Sequence, residues 1–174
     1  FVISHSGPGI VIIGDPPIED LAIYGAGPAS CPTTRHLQRR LISKAYLTSI
    51  PPRGTRFEDI QAEGLSITRA CHSDNPHGVI LYFHGGGYII GSPKTHKGIT
   101  GHLSKFSGAM VVTPDYRLAP ENPFHAALDD AEMVYRALLD EGHPPATLCL
   151  AGDSAGGGLA VALAMRLRDK GLPL

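Results

Sequence analysis

The chain has 174 residues, 43% hydrophobic and 18% charged, with a formal net charge of −1. This is enough chain for one domain with a core, too apolar for a disordered polymer, and too near neutral to indicate nucleic acid or an anionic membrane as partner. No apolar stretch approaches the roughly 20 residues that span a bilayer, so no transmembrane segment is expected.

Residues 1–32 are the least regular part. Two apolar runs, Ile10 to Ile13 and Leu21 to Tyr24, are broken by Pro16-Pro17 and by Gly25-Ala26-Gly27-Pro28. The start, Phe1 to His5, has no basic n-region, so no signal peptide is read there. Residues 33–48 read as a helix, with Leu37, Leu41, Ala45 and Leu47 as a rough apolar stripe and Arg35, Arg39, Arg40 and Lys44 opposite. Pro51-Pro52 ends it.

From residue 64 strands alternate with helices. Leu65 to Ala70 alternates weakly, as an outer strand would, and Asp74 to Gly78 is a turn. Val79 to Phe83 is a continuous apolar run, which predicts a strand covered on both faces. Ser92-Pro93 predicts a helix start, with Ile99, Leu103 and Phe106 on its inner face and Gly108 as its stop. Ala109 to Thr113 is a second buried strand. Asn122-Pro123 predicts another helix start, with Phe124, Ala127, Leu128, Ala131, Val134, Tyr135 and Leu138 inward and Gly142 closing it. Thr147 to Ala151 is a third strand. The last helix turns Leu159, Ala162, Leu163 and Leu167 inward, with Arg166 and Lys170 near its negative end. This alternation predicts an α/β fold with a mainly parallel sheet.

Three motifs carry chemistry. Gly152-Asp153-Ser154-Ala155-Gly156 lies where an apolar run gives way to a helical pattern, the strand–turn–helix setting that lifts a serine hydroxyl above a sheet. His84-Gly85-Gly86-Gly87-Tyr88 follows a buried strand. Its bare backbone N–H groups can bend around an anionic oxygen, and no Gly-Lys-Ser/Thr follows to make a phosphate cradle. Asp115 to Glu121 places charges directly after another buried strand, where Arg117 is expected to pair with a carboxylate and brace the loop.

In this order and spacing the motifs resemble those of the hormone-sensitive-lipase-like esterases, bacterial lipolytic family IV, of the α/β-hydrolase fold. The resemblance is dense from about Gly78 to Leu174. It implies two parts: residues 1–60 as a variable helical cap, and 61–174 as the first portion of the catalytic domain. It implies hydrolysis of short-chain carboxylic esters through an acyl-enzyme, with a small-molecule ester as substrate and neither metal nor organic cofactor. Ser154 would be the nucleophile. The oxyanion hole would come from Gly85, Gly86, Gly87 and Ala155, with Gly86, Gly87 and Ala155 donating and Gly85 shaping the loop. His84, Asp153 and Arg117 would support the site without touching substrate.

The pattern breaks after the nucleophile. In these hydrolases an Asp or Glu and then a His follow the serine. None of the nine histidines lies beyond Ser154, and recruiting His96, His102 or His125 from upstream is an ad hoc rescue. The chain therefore reads as a truncated or partial piece of a longer enzyme. Residues 1–174 alone are expected to be nearly inactive on p-nitrophenyl butyrate. The Thr147 to Ala151 strand is expected to form a bare apolar edge, open to a complementary C-terminal segment or a second copy. A rival reading is a non-catalytic half-domain that acts as an interaction module. A Rossmann reading of Leu21 to Ser30 fails, because Ser30 replaces the third glycine and Pro32 obstructs the helix start. The cysteines, Cys31, Cys71 and Cys149, form no C-x-x-C pair and are odd in number, which disfavours a disulfide framework or structural zinc and fits a cytoplasmic setting.

Overall fold

The computed structural model describes residues 10–13, as backbone, and 49–174. The expected helix at 33–48, the glycines of 25–27 and Cys31 lie outside the described residues. Among the described residues, nine elements and a short 3₁₀ turn (Pro145–Thr147) follow in chain order. They are β1 (Ile10–Ile13), β2 (Arg56–Ala62), β3 (Leu65–Cys71), β4 (Val79–Phe83), α1 (Lys97–Ser107), β5 (Met110–Pro114), α2 (Ala126–Asp140), β6 (Leu148–Asp153) and α3 (Ala155–Asp169).

The strands form one sheet in the order β1-β6-β4-β5-β3-β2. β1, β6, β4 and β5 run parallel, and β3 and β2 extend the sheet antiparallel. The parallel part follows from composition. Every residue of β4 and β5 is buried, as a strand covered on both faces requires. Leu81 and Phe83 of β4 face a cluster with Val134 and Leu138 of α2 and Leu163 and Leu167 of α3. Ile80 and Tyr82 face the other way, toward Ile99 and Leu103 of α1. Each such large side chain contributes about 1.5–3 kcal/mol by leaving water.

Four expectations need correction. β6 is not a bare edge, because β1 pairs with it in parallel register, Ile10 opposite Leu150 through Ile13 opposite Asp153. β3 is not the outer strand; β2 lies outside it, joined by a two-residue turn in which Glu63 and Gly64 both have positive φ. Helix starts fall later than the prolines suggest. Ser92 and Thr95 close a turn on each other, and α1 begins at Lys97. α2 begins at Ala126, after His125 at a φ of 90°. Phe106, in the last turn of α1, and Phe124, ahead of α2, were expected to face inward and lie on the surface instead, each 81% exposed. Gly108 does stop α1 as expected, with a left-handed φ of 68° and its N–H on the Ser104 carbonyl.

Candidate active site

Two loops meet at the end of the parallel strands. The first is the bend between β6 and α3. Ser154 sits there with a φ of 50° and a ψ of −122°, a conformation that L-residues adopt only under constraint. The flanking glycines make the bend possible. A Cβ on Gly152 would strike the backbone of Gly156, and a Cβ on Gly156 would strike the Phe83 carbonyl. The end of β4 therefore lies in direct backbone contact with the turn that carries the serine.

The second loop is His84 to Tyr88, continuing from β4. It packs against the same bend: the Gly85 N–H donates to Asp153 Oδ1 at 2.8 Å, and a Cβ on Gly85 would collide with the Asp153 carboxylate. That N–H is thus committed to Asp153 and is not a free donor. The N–H groups of Gly86, Gly87 and Ala155 have no acceptor among the described residues. Gly86 and Gly87 have φ values of 120° and 61°, open to glycine and strained for other residues. A Cβ on Gly87 would meet nothing within 4 Å, so the loop borders open space there.

Asp153 is the hub. Its Oδ1 also accepts from Tyr82 Oη at 2.7 Å, and its Oδ2 faces His96 Nε2 at 3.6 Å. Burial alone would raise its pKa, but the contacts with His96, Tyr82 and the Gly85 N–H outweigh it and hold the carboxyl below its usual value. His84 is buried, stacks on the Tyr116 ring at 4.2 Å, and has Nδ1 2.8 Å from the Gly85 carbonyl. That contact makes Nδ1 the protonated ring nitrogen. Burial pushes the His84 pKa down to about 4.

The sign of the pH effect follows. A histidine with a lowered folded pKa adds stability above its unfolded value of 6.5, and loses it as the pH falls toward 4. Between those limits the wild type is expected to lose about 3 kcal/mol more stability than His84→Asn. Urea denaturation of both proteins across that range checks this. Equal pH slopes refute it.

The Asp115 to Glu121 segment holds the glycine loop from outside. Tyr116 Oη donates to the His84 carbonyl at 2.6 Å and the Ala119 N–H to the Tyr88 carbonyl at 2.8 Å. Arg117 ties this segment to α2 through Asp130, with Nε at 2.9 Å and Nη2 at 2.7 Å. The expected Arg117–carboxylate brace is present. Sequence reading missed Tyr82, Tyr116 and His96. The two tyrosines look like apolar filler in or after buried strands, and only the sheet register brings Tyr82 beside Ala151, two residues from Asp153. Among the described residues no cluster of His, Cys, Asp and Glu could hold a metal ion, and no helix is long and apolar enough to cross a membrane.

A family model described as "alpha/beta hydrolase fold" matches residues 80–174. An acetyl-hydrolase of Streptomyces hygroscopicus is 52% identical over 95 residues, 55% of this chain and 32% of that protein. The esterase LipI of Mycobacterium tuberculosis is 43% identical over 142 residues, 79% of this chain and 42% of its own. A crystal structure of an esterase from the bacterial hormone-sensitive lipase family superposes with a TM-score of 0.77 at 36% identity, over 90% of this chain and 52% of that one. The chain spans about half, or less, of the length of these relatives. The match over more than half of its residues, and the strained serine between β6 and α3, make the chain a member of the α/β-hydrolase fold family, of the hormone-sensitive-lipase-like kind.

Proposed function

We propose that this chain carries the nucleophile and oxyanion hole of a serine carboxylesterase that cleaves short-chain carboxylic esters through an acyl-enzyme. One observation carries the reading: Ser154 is held at a strained bend, and the glycine loop packed on that bend has N–H groups without an acceptor among the described residues.

Ser154 Oγ attacks the ester carbonyl carbon, and the carbonyl oxygen becomes an anion. The N–H groups of Gly86, Gly87 and Ala155 donate to it, Ala155 with the added field of a helix N-terminus. The tetrahedral species collapses, the alcohol leaves with a proton, and water then cleaves the acyl-serine. The serine proton needs a base. His84 and His96 are buried and turned to Gly85, Asp153, Ser92 and Thr95, which suits support rather than proton transfer. The acid and histidine of the triad are assigned outside residues 1–174, in keeping with their order in this fold. The thiols Cys71 and Cys149 fit a cytoplasmic setting.

A fluorophosphonate probe tests the proposal. In the active protein, labelling is expected at Ser154, with loss of label in Ser154→Ala. Labelling elsewhere, or equal labelling of the variant, overturns it. Absence of both label and ester turnover supports the rival reading of a non-catalytic interaction module.

A further inference from the structure

The residue just before the nucleophile is a half-buried carboxylate that the acyl-transfer chemistry does not consume. Its side chain is 14% exposed. It lies between two walls of the site: it is the last residue of β6, and it grips the first glycine of the loop that leaves β4. Both donors to Oδ1 come from that second wall, the Gly85 N–H at 2.8 Å and Tyr82 Oη at 2.7 Å. Hydrogen bonds to an ionised carboxylate are roughly twice as strong as neutral ones, and more so away from water. On the third side stands His96, the residue at the N-terminus of α1, with Nε2 3.6 Å from Oδ2. Nothing else fixes the Gly85 N–H, while the next two N–H groups along the loop are free of acceptors.

We propose that Asp153 is a positioning residue, whose carboxylate sets the distance and aim of the Gly86 and Gly87 N–H groups relative to Ser154. The physical point is economy of linkage. Ser154 and Asp153 are adjacent, so nucleophile and oxyanion donors are joined through one side chain and one hydrogen bond, and do not depend on two independently mobile loops. A misplacement of about 1 Å at such a site can cost on the order of 10² in rate. Donor geometry matters most when negative charge develops, so the effect belongs to kcat and not to KM.

This inference rests on the proposed esterase reading, and the experiment separates the two. In the active protein, with the triad acid and histidine present and a p-nitrophenyl ester as substrate, Asp153→Ala is expected to lower kcat about 10²-fold, with KM within about twofold and Ser154 still titratable by the fluorophosphonate. Asp153→Asn keeps an oxygen for Gly85 but loses the charge, so it is expected to fall between Asp153→Ala and wild type. Tyr82→Phe leaves the Gly85 bond in place and is expected to lose less than about tenfold. A second readout does not need turnover. In Asp153→Ala, amide hydrogen exchange at Gly85 is expected to accelerate at least tenfold, while Val111 and Val112 in β5 keep their rates. A kcat within threefold of wild type, a loss carried by KM, unchanged exchange at Gly85, or uniform acceleration across the sheet each overturns the proposal. Failure of the probe to label Ser154 in wild type counts against the esterase reading instead, and the exchange measurement still decides the role of Asp153.

Discussion

In the active protein, with the triad acid and histidine present, Ser154→Ala is expected to lower ester turnover by about 10⁶-fold, to the level left by binding and the oxyanion donors alone. The size of the effect follows from what the hydroxyl does. It is the atom that forms the acyl bond, and without it the remaining groups can stabilise charge but cannot split the reaction into two easier steps. Stability is expected to change in the opposite direction or not at all, because a residue at a φ of 50° and a ψ of −122° is held there by its surroundings and not by its own contacts. Steady-state kinetics with p-nitrophenyl butyrate, paired with thermal denaturation, gives both numbers. A loss below about 10²-fold would remove Ser154 from the nucleophile role.

Gly156→Val is expected to have the largest effect on folding. A Cβ at that position would overlap the Phe83 carbonyl and crowd the His84 carbonyl at 2.7 Å. These are backbone atoms at the end of β4, so no flexible side chain can move aside. The strand β4, the serine turn and α3 would have to separate, at a cost on the order of 3–5 kcal/mol. A fall in melting temperature of roughly 10 °C or more follows for a domain of this size. Gly171→Ala is the control. Its φ of 65° penalises a side chain, but the space around it is open, so only about 1 kcal/mol is expected. If both variants melt alike, the end of β4 and the serine bend are not in the close backbone contact described above.

The local chemistry was legible in the residues. Continuous apolar runs marked β4, β5 and β6, and the glycines around Ser154 and after His84 marked the two loops that the structure brings together. What escaped was of two kinds. β2 reads as polar, Arg-Phe-Glu-Asp-Ile-Gln-Ala, because an outer strand shows most of its side chains to water and its apolar positions are diluted. Its turn carries Glu63 where asparagine or aspartate would have advertised a hairpin. The other kind is non-local. No pattern within a window of residues reveals that Ile10–Ile13 pairs with β6, or that Tyr82 reaches Asp153, since both follow from register between segments far apart in sequence. The helix starts were misjudged for a simpler reason: a Ser-Pro or Asn-Pro pair can begin a turn as readily as a helix, and at Ser92 the hydroxyl closes on Thr95 instead.

The pairing of β1 with β6 has a bearing on how the domain is made. Loop closure over so long a stretch is slow, and it cannot begin before residues 148–153 have left the ribosome. Until then the emerging β1 segment has no partner strand among the described residues. A chaperone or a second nascent chain would find it in that interval, and heterologous yields are expected to track how quickly that interval ends.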